Sequence, residues 1–326
     1  MPLVSRTEAL PDRTRQRGRH TETAGQEEKG EQQQTMNNIL KIGLPIGSLE
    51  EATLQMMARA GFNVYVAPRS YYPTIDDNEL QARRIRPQDM SRFVEKGIVD
   101  CGITGNDLVA ENGSDVHVIG QLSYNKQTLL PFRWVIAVHE DSPIRTVEDL
   151  RGKRIATELV NVTRKFLAER GVEAHVEFSH GATEAKVPDI VDAIVDGTES
   201  GSSLRANRLR IIDTIMTSFT HFIASHEAWA DPWKRTKIES LYMLFQGSIA
   251  ARLKVGLKMN VGKADLQAVL AVLPAMKQPT VSPLAQEAGY ALETIVDERV
   301  VRSIIPALKR AGATGIVEYP LNKVIP

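Results

Sequence analysis

The segment from Ala182 to Asn207, ATEAKVPDIVDAIVDGTESGSSLRAN, contains the densest group of residues that could carry chemistry. Its first half has an apolar stripe at helical spacing, which predicts a helix ending near Gly197. Asp189, Asp192 and Asp196 fall three and four residues apart, so they would share the opposite face of that helix. Carboxylates placed in this way could bind a ribose diol or a magnesium ion.

A short run of Thr, Ser and Gly follows the predicted helix, from Thr198 to Ser203. Small hydroxyl side chains and exposed backbone N–H groups are groups that bind phosphate. Together with the carboxylates they predict a sugar-phosphate site. A solvated acidic helix face followed by a polar loop would show the same spacing, and on spacing alone this alternative stays open.

The composition indicates a globular protein without a dominant charge. A length of 326 residues predicts about two or three domains. Lysine plus arginine and aspartate plus glutamate each number 40, so no overall field favours a nucleic acid or a membrane as partner. No apolar run approaches the ~20 residues of a membrane span, and we recognise no secretory leader. These features predict a cytoplasmic protein.

The single cysteine, Cys101, excludes an internal disulfide. It lies in VDCGITG, a probable buried strand, and no histidine is near in sequence. A small core residue is therefore favoured over a nucleophile. His221 and His226 lack the spacing of a metal pair on one helix face. Trp229 and Trp233 are four residues apart in a predicted helix, and we interpret them as an interdomain contact in preference to a platform for base stacking.

Residues 1–35 differ from the rest of the chain. They are rich in Arg, Glu, Gln and Thr, contain few large apolar residues and are predicted to be disordered. Met36 stands immediately before the first strand and could be the true start. A regulatory or nucleic-acid-binding arm is the functional alternative, which the equal numbers of basic and acidic residues disfavour.

From Ile39 onward strand and helix signals alternate, which is typical of an α/β protein with mainly parallel sheets. Pro87 opens a predicted helix, and Thr146 to Asp149 resembles a capping box. A further helix is predicted from Glu227 to Gly247, with Pro232 either near its start or at a kink. From about Ala250 the predicted order is β-α-β-β-α-β, a ferredoxin-like module.

Several separated motifs resemble the ATP phosphoribosyltransferases of the long, regulated form. DGTESGSSLRAN resembles the phosphoribosyl-pyrophosphate loop of that family, and RIRPQDMSRFVEKGIVDCGITGNDLVAE resembles its nucleotide-binding region. KQPTVSPLA and GATGIVEYPLNKVIP resemble its allosteric domain. The resemblance covers Met36 to Pro326 with the motifs in the family's order.

The resemblance implies a two-lobed, periplasmic-binding-protein-like catalytic portion and a C-terminal ferredoxin-like, ACT-like domain. The expected boundaries are a disordered extension at 1–35, a first lobe at 36–133 plus about 210–248, a second lobe at 134–209, and a regulatory domain at 249–326.

The implied activity transfers the 5-phosphoribosyl group of phosphoribosyl pyrophosphate to N1 of ATP, which yields phosphoribosyl-ATP and pyrophosphate. This is the first step of histidine biosynthesis, with histidine as feedback inhibitor. Magnesium would be carried by the substrate, with Asp192 as a possible contact. The family further implies self-association to dimers or hexamers. Because adenine N1 already carries a lone pair, positioning matters more than a general base.

The family's functional residues transfer to matching positions. The expected catalytic residues are Glu184, Asp192 and Asp196. The phosphoribosyl pyrophosphate loop would comprise Thr198, Glu199, Ser200, Gly201, Ser202 and Ser203. The ATP side would comprise Arg86, Asp100, Thr104 and Gly105. Histidine would bind Asn260, Met276, Gln278, Thr280 and Gly315.

The chain departs from the family pattern at two positions. The family usually reads Pro-Lys-Gly where this chain has Pro45-Ile46-Gly47, so one cationic phosphate contact is missing. Either another cation compensates, with Arg69, Arg84 and Lys186 as candidates, or activity is impaired; a packed, tolerant position is the alternative. Asn260 stands where the family often has Asp, which predicts weaker histidine binding.

Two other classes of protein stay open on the sequence. A two-lobed small-molecule binding protein would perform no chemistry, and Ile46 gives it some weight. A ligand-sensing regulator built on the ferredoxin-like module would need a DNA-binding element, and no such element is evident in the sequence.

Overall fold

The computed structural model describes residues 38–123, 131–273 and 279–325. Residues 1–35 and two predicted histidine contacts, Met276 and Gln278, lie outside this part of the chain. The strands are β1 (Leu40–Pro45), β2 (Val64–Tyr65), β3 (Thr74–Ile75), β4 (Leu80–Ile85), β5 (Cys101–Gly105), β6 (His117–Gln121), β7 (Phe132–His139), β8 (Arg154–Thr157), β9 (His175–Phe178), β10 (Ala193–Thr198), β11 (Leu209–Ser218), β12 (Thr220–Ala224), β13 (Lys254–Val261), β14 (Thr280–Pro283), β15 (Tyr290–Asp297) and β16 (Thr314–Pro320).

The α-helices are α1 (Glu50–Ala60), α2 (Pro87–Glu95), α3 (Asn106–Asn112), α4 (Val160–Ala168), α5 (Ser202–Ala206), α6 (His226–Ala230), α7 (Pro232–Ala251), α8 (Leu266–Val272) and α9 (Glu298–Arg310). Pro87 begins a helix, as predicted, because the first helical residue needs no N–H partner. Pro232 also begins a helix, so the single helix predicted from Glu227 to Gly247 is divided into α6 and α7. Asp149 Oδ2 accepts hydrogen bonds from the backbone N–H groups of Arg145 and Thr146, which confirms the carboxylate half of the capping box.

The first lobe is a five-stranded sheet in the order β4-β1-β5-β12-β6. β1, β4 and β5 are parallel, so their carboxyl ends lie at one edge. Helices α1 and α7 cover one face through a core that includes Met57 and Phe245. On α2, Met90 packs so closely over Gly43 and Gly102 that a Cβ at either glycine would meet its sulfur. The glycines thus let α2 approach the sheet.

The second lobe is a five-stranded sheet in the order β11-β7-β10-β8-β9. β8, β9 and β10 are parallel, while β7 runs antiparallel between β10 and β11. Because β10 is central and covered on both faces, Ala193, Ile194 and Val195 are all buried. The helix predicted through residues 187–196 is therefore wrong, since this continuous apolar run belongs to a buried parallel strand.

Two connections join the lobes: the chain enters the second lobe between β6 and β7 and returns at Phe219. Asn106 holds the return point, donating its N–H to the Phe219 carbonyl at 3.0 Å and accepting the Phe219 N–H on Oδ1 at 2.7 Å. β11 pairs with β7, so residues 209–218 belong to the second lobe instead of the first, where the segment from about 210 was expected.

The third domain has the predicted βαββαβ order, with an antiparallel sheet arranged β14-β15-β13-β16. This is the ferredoxin-like arrangement expected from the sequence. One face of the sheet packs against α8 and α9 through residues such as Leu257, Leu292 and Leu308. The predicted α/β fold with a C-terminal ferredoxin-like domain is confirmed. In the described part of the chain, no helix is both long enough and apolar enough to span a membrane.

Candidate active site

The predicted phosphate loop lies between β10 and α5. Gly201 has a φ of 71°, a left-handed conformation that favours glycine. Its N–H donates to Thr198 Oγ1 at 2.8 Å, and the hydroxyl groups of Ser200 and Ser202 are 3.0 Å apart. The turn therefore gathers hydroxyl groups and backbone amides at the carboxyl end of β10. This is a suitable arrangement for binding the oxygens of a phosphate.

Two of the three predicted catalytic carboxylates adjoin this loop. Glu184 accepts a hydrogen bond from Ser203 Oγ at 2.7 Å. Burial raises the pKa of the Asp196 carboxyl to about 6, opposed by the Gly197 N–H and reinforced by the negative charges of Glu184 and Glu158. Asp196 and Glu184 are thus electrostatically coupled. They supply acceptors for the hydroxyl groups of a sugar bound beside the loop.

Asp192 does not join this group. It precedes β10, and its Oδ2 accepts the backbone N–H of Arg154 at 2.8 Å. Thr198 lies six residues further along an extended chain, so the two positions are about 20 Å apart at opposite ends of the strand. The predicted helix would have placed Asp192 one turn from Asp196, but along a strand the two carboxylates are about 13 Å apart. This position therefore does not support the expected contact of Asp192 with the ribose or the magnesium.

A cavity of about 810 Å³ lies between the two lobes. We call it the larger cavity, because a smaller one adjoins it at Ile46. It is lined from the first lobe by Ile46, Gly47, Ser48, Arg86, Pro87, Gln88, Asp89, Arg92, Leu108, Glu111 and Asn112, and from the second by Glu158, Phe178 and His180.

Arg86, a predicted ATP contact, stands immediately before α2. Neither Arg86 nor Arg92 forms an ion pair with another described residue. Two cationic side chains are therefore available for an anionic ligand.

Ile46 is partly exposed and lines the larger cavity together with a smaller one of about 350 Å³. The smaller cavity is also lined by Tyr71, Tyr72, Arg83, Arg84, Ile85, Arg86, Asp89 and Phe93. Of the proposed compensating cations, Arg84 pairs with Glu50 at 2.5 Å and Lys186 donates to Ser179 Oγ at 2.6 Å. Ile46 thus lies just after the carboxyl end of β1, at the border of both cavities.

The other predicted ATP contacts, Asp100, Thr104 and Gly105, line neither described cavity. Thr104 is buried, and its hydroxyl donates to the Pro87 carbonyl at 3.0 Å, which holds the start of α2. Gly105 leaves room for the Asp107 carboxylate, which a Cβ at this position would meet. Asp100 lies at the opposite edge of the sheet, where it binds the Lys41 N–H at 2.7 Å and Lys234 Nζ at 2.8 Å. Asp100 is therefore a structural residue, because it precedes β5 whereas the cavity follows it.

Helix α3 makes further contacts across the cleft that the sequence did not predict. The Glu111 carboxylate accepts the backbone N–H groups of Asn161 and Val162, each at 3.0 Å. These are orphan donors at the start of α4, so an acid from the first lobe caps a helix of the second. No local pattern could reveal this cap, because the partners are about 50 residues apart in sequence.

In the third domain, Asn260 and Gly315 are adjacent: a Cβ at Gly315 would lie 3.7 Å from Asn260 Nδ2. Thr280 pairs with Glu293, which pairs with Lys258, so Thr280 shares the solvent-facing side of the sheet with Asn260. Two strand spacings and two residues along the strand separate Thr280 from Asn260, which places them about 12 Å apart. The structure therefore places Asn260 and Thr280 on one face of the sheet, but the predicted histidine contacts that it describes do not form one compact pocket.

The described residues contain no cluster of three or more His, Cys, Asp or Glu side chains placed to hold a metal ion.

The fold and site define a class: a two-lobed α/β protein with a cavity between its lobes, a loop suited to phosphate and an added ferredoxin-like domain. The family model for ATP phosphoribosyltransferase matches residues 86–247, and the model for the C-terminal domain of that family matches residues 251–323. The ATP phosphoribosyltransferase of Chlorobaculum parvum is 56% identical over 289 residues, which cover 89% of this chain and 98% of the relative.

The ATP phosphoribosyltransferase of Thermodesulfovibrio yellowstonii is 53% identical over 290 residues, or 89% of this chain and 99% of the relative. Among solved structures, the ATP phosphoribosyl transferase (HisG:HisZ) complex of Thermotoga maritima superposes with a TM-score of 0.55 and 25% identity, over 64% of this chain and 96% of that one. The chain belongs to the ATP phosphoribosyltransferase family.

Proposed function

We propose that the protein transfers the 5-phosphoribosyl group of phosphoribosyl pyrophosphate to N1 of ATP and releases pyrophosphate, the first step of histidine biosynthesis. The observation that carries the proposal is the position of the phosphate loop at Thr198–Ser203 and the paired acids Glu184 and Asp196 in the lobe that also borders the larger cavity. The link between the two is Glu158, which lines the cavity and whose negative charge acts on Asp196. A sugar phosphate would then lie beside a nucleotide, as the activity named for the relatives requires.

The loop amides and hydroxyl groups would bind the 5-phosphate, and Asp196 with Glu184 would accept hydrogen bonds from the ribose hydroxyls. Magnesium bound to the pyrophosphate would neutralise charge that grows on the leaving group. Arg86 and Arg92 would bind the triphosphate of ATP. The protein mainly orients the two substrates, since adenine N1 is already a nucleophile.

Histidine inhibition and self-association are further parts of the proposal. Asn260 and Gly315 would bind histidine in the third domain, together with Thr280 and the two contacts outside the described residues. Dimers or hexamers are the expected assemblies, and the cytoplasm is the expected location.

The test is steady-state formation of phosphoribosyl-ATP from ATP, phosphoribosyl pyrophosphate and magnesium, with and without histidine. Turnover suppressed by histidine supports the active site and the sensor together. Turnover without suppression supports the enzyme and counts against the sensor. An absence of turnover with both substrates still bound would favour the catalytically impaired homologue or small-molecule binding protein, for which the position of Ile46 in the cleft is the supporting observation.

A further inference from the structure

One wall of the larger cavity carries an aromatic ring and an acid–imidazole pair that the assignments so far leave without a role. Phe178 is the last residue of β9, and it is 70% exposed although phenylalanine is usually buried. Glu158 Oε1 lies 2.9 Å from His180 Nδ1. All three residues line the cavity from the second lobe. We call them the second-lobe wall.

The backbone beneath the wall is held by buried hydrogen bonds. Thr157 pairs with Phe178 across the parallel strands β8 and β9, so Glu158 follows directly beside the phenyl ring. Thr157 Oγ1 accepts the Leu159 N–H at 3.0 Å, and the Ser179 N–H donates to the Thr157 carbonyl at 2.9 Å. The exposed ring therefore stands on an ordered, well-connected edge.

The wall also borders the sugar-phosphate site. Glu158 is close enough to Asp196 for its negative charge to contribute to the raised pKa of that carboxyl. His180 engages Oε1 of Glu158, whereas Oε2 makes no hydrogen bond to another described residue. One carboxylate oxygen is thus left to accept a hydrogen bond from a ligand that lies between Phe178 and the phosphoribosyl group.

The opposite wall has a different character. Arg86 and Arg92 line the cavity from the first lobe, and guanidinium groups bind phosphate oxygens well. The same side also carries Asp89 and Glu111, and the Glu111 carboxylate is already engaged by the backbone N–H groups of Asn161 and Val162. A nucleotide in the cavity therefore has two guanidinium groups on one side for its triphosphate and an aromatic ring with a carboxylate on the other side for its base. This orientation also brings the base next to the sugar that it must attack.

We propose that the second-lobe wall binds the adenine ring of ATP: Phe178 stacks on the purine, Glu158 accepts a hydrogen bond from the exocyclic N6 amino group, and His180 orients the Glu158 carboxylate. The inference rests on the proposed function and assigns the part of the site that recognises the base. In these roles Glu158 is a catalytic residue and His180 a positioning residue.

The proposed hydrogen bond strengthens during the reaction. The lone pair of adenine N1 forms the new bond to C1 of the ribose, while the C1–O bond breaks and its electron pair leaves with pyrophosphate. Positive charge then spreads over N1, C6 and N6 of the base and persists until N6 loses a proton to solvent. A carboxylate that accepts the N6 hydrogen stabilises this charge more in the transition state than in the ground state.

The first experiment measures ATP binding and turnover in Phe178→Ala, Phe178→Tyr, Glu158→Gln and a matched control, Glu177→Gln. Glu177 is exposed, precedes Phe178 and does not line the cavity. Loss of stacking in Phe178→Ala should raise the Kd for ATP about ten-fold, while the tyrosine variant keeps near-normal affinity. Glu158→Gln should lower kcat/KM for ATP about thirty-fold, with an unchanged KM for phosphoribosyl pyrophosphate.

The second experiment uses purine riboside triphosphate, which lacks the 6-amino group, as a binding probe in calorimetry. Phe178→Ala should lower the affinity for this analogue as much as it lowers the affinity for ATP. Glu158→Gln should lower the affinity for ATP alone. For His180, the alanine variant should lower kcat and the glutamine variant should restore part of it, because glutamine can still donate to Glu158.

Wall variants that behave like Glu177→Gln, or that instead raise the KM for phosphoribosyl pyrophosphate, would overturn the inference. Failure of the wild-type protein to form phosphoribosyl-ATP would count against the proposed function. The nucleotide-binding comparison would still decide whether the wall recognises the base.

Discussion

Trp134 Nε1 donates a hydrogen bond to Asp107 Oδ2 across 2.6 Å, and this bond joins α3 of the first lobe to β7 of the second. Both residues are buried, and Asp107 Oδ1 has no hydrogen-bond partner among the described residues. Gly105 is needed beside this carboxylate, because a Cβ there would meet it. Together with the Glu111 cap on α4, the bond makes α3 the main first-lobe element that sets the position of the second lobe.

Replacement of Trp134 by Phe should lower the free energy of unfolding by about 1.5–3 kcal/mol, since it leaves a buried carboxylate without its donor. Chemical denaturation measures the change. Asp107→Asn is the matched variant: its amide can keep the bond to Trp134 while removing the buried charge, so it should cost much less. A loss in Asp107→Asn as large as that in Trp134→Phe would contradict the prediction, because the Asn variant keeps the indole donor and an acceptor for it.

Asp100→Ala should destabilise the protein by about 3 kcal/mol and leave the KM for ATP unchanged. The reason is that Asp100 is buried and paired with Lys234 at the edge away from the cavity. Asp115→Ala is the control, because its side chain is 87% exposed in a pair with His226. A raised KM for ATP at unchanged stability would instead support the nucleotide contact that the family resemblance implies.

Ile46→Lys should raise kcat/KM about ten-fold, the equivalent of one charge-assisted hydrogen bond to phosphate. Ile46 lines both cavities, so a lysine there would enter the ligand side of the site. Steady-state kinetics with each substrate varied in turn provide the measurement, and Ile46→Met controls for a longer uncharged side chain. Unchanged or lower efficiency in the lysine variant would refute the idea that a cation is missing.

Asp196→Asn should raise Tm at about pH 8 and have little effect near about pH 4. Burial raises the pKa of Asp196 from 3.8 to about 6, so the fold favours the protonated form. The contribution of the protonated Asp196 carboxyl to the stability of the fold is complete below the pKa of this group in the unfolded chain. It is lost as the pH rises through about 6, the pKa in the folded protein. Asp189→Asn, at an exposed position in the same segment, controls for the charge change. A Tm difference independent of pH would contradict the prediction.

Asn260→Asp should tighten histidine binding about five-fold or more, because a carboxylate pairs with the ligand's amino group in a charge-assisted bond. Calorimetry with histidine measures the affinity. Ser282→Asp places a carboxylate in the same row and on the same face, two strands away, and should leave the affinity unchanged. A similar gain from both variants would indicate a general charge effect, and no binding to the wild type would refute the proposed sensor.

Local sequence determined the order of the elements outside the segment before Gly197, the helix start at Pro87, the turn at Gly201 and the βαββαβ module. Each of these depends on residues that are close in sequence: a fixed φ, a missing N–H, a positive φ or a periodic apolar pattern. The phosphate loop could be located for the same reason, since its amides and hydroxyl groups are consecutive.

Tertiary structure decided which residues face the ligand. Asp192 and Asp100 each precede a parallel strand, and so lie at the edge opposite to the cleft. The buried run before Gly197 resembled a helix because a strand covered on both faces loses its alternating pattern. The Asp107–Trp134 bond, the Glu111 cap and the second-lobe wall join residues distant in sequence. Their contacts depend on how sheets and lobes pack, and no local pattern encodes that packing.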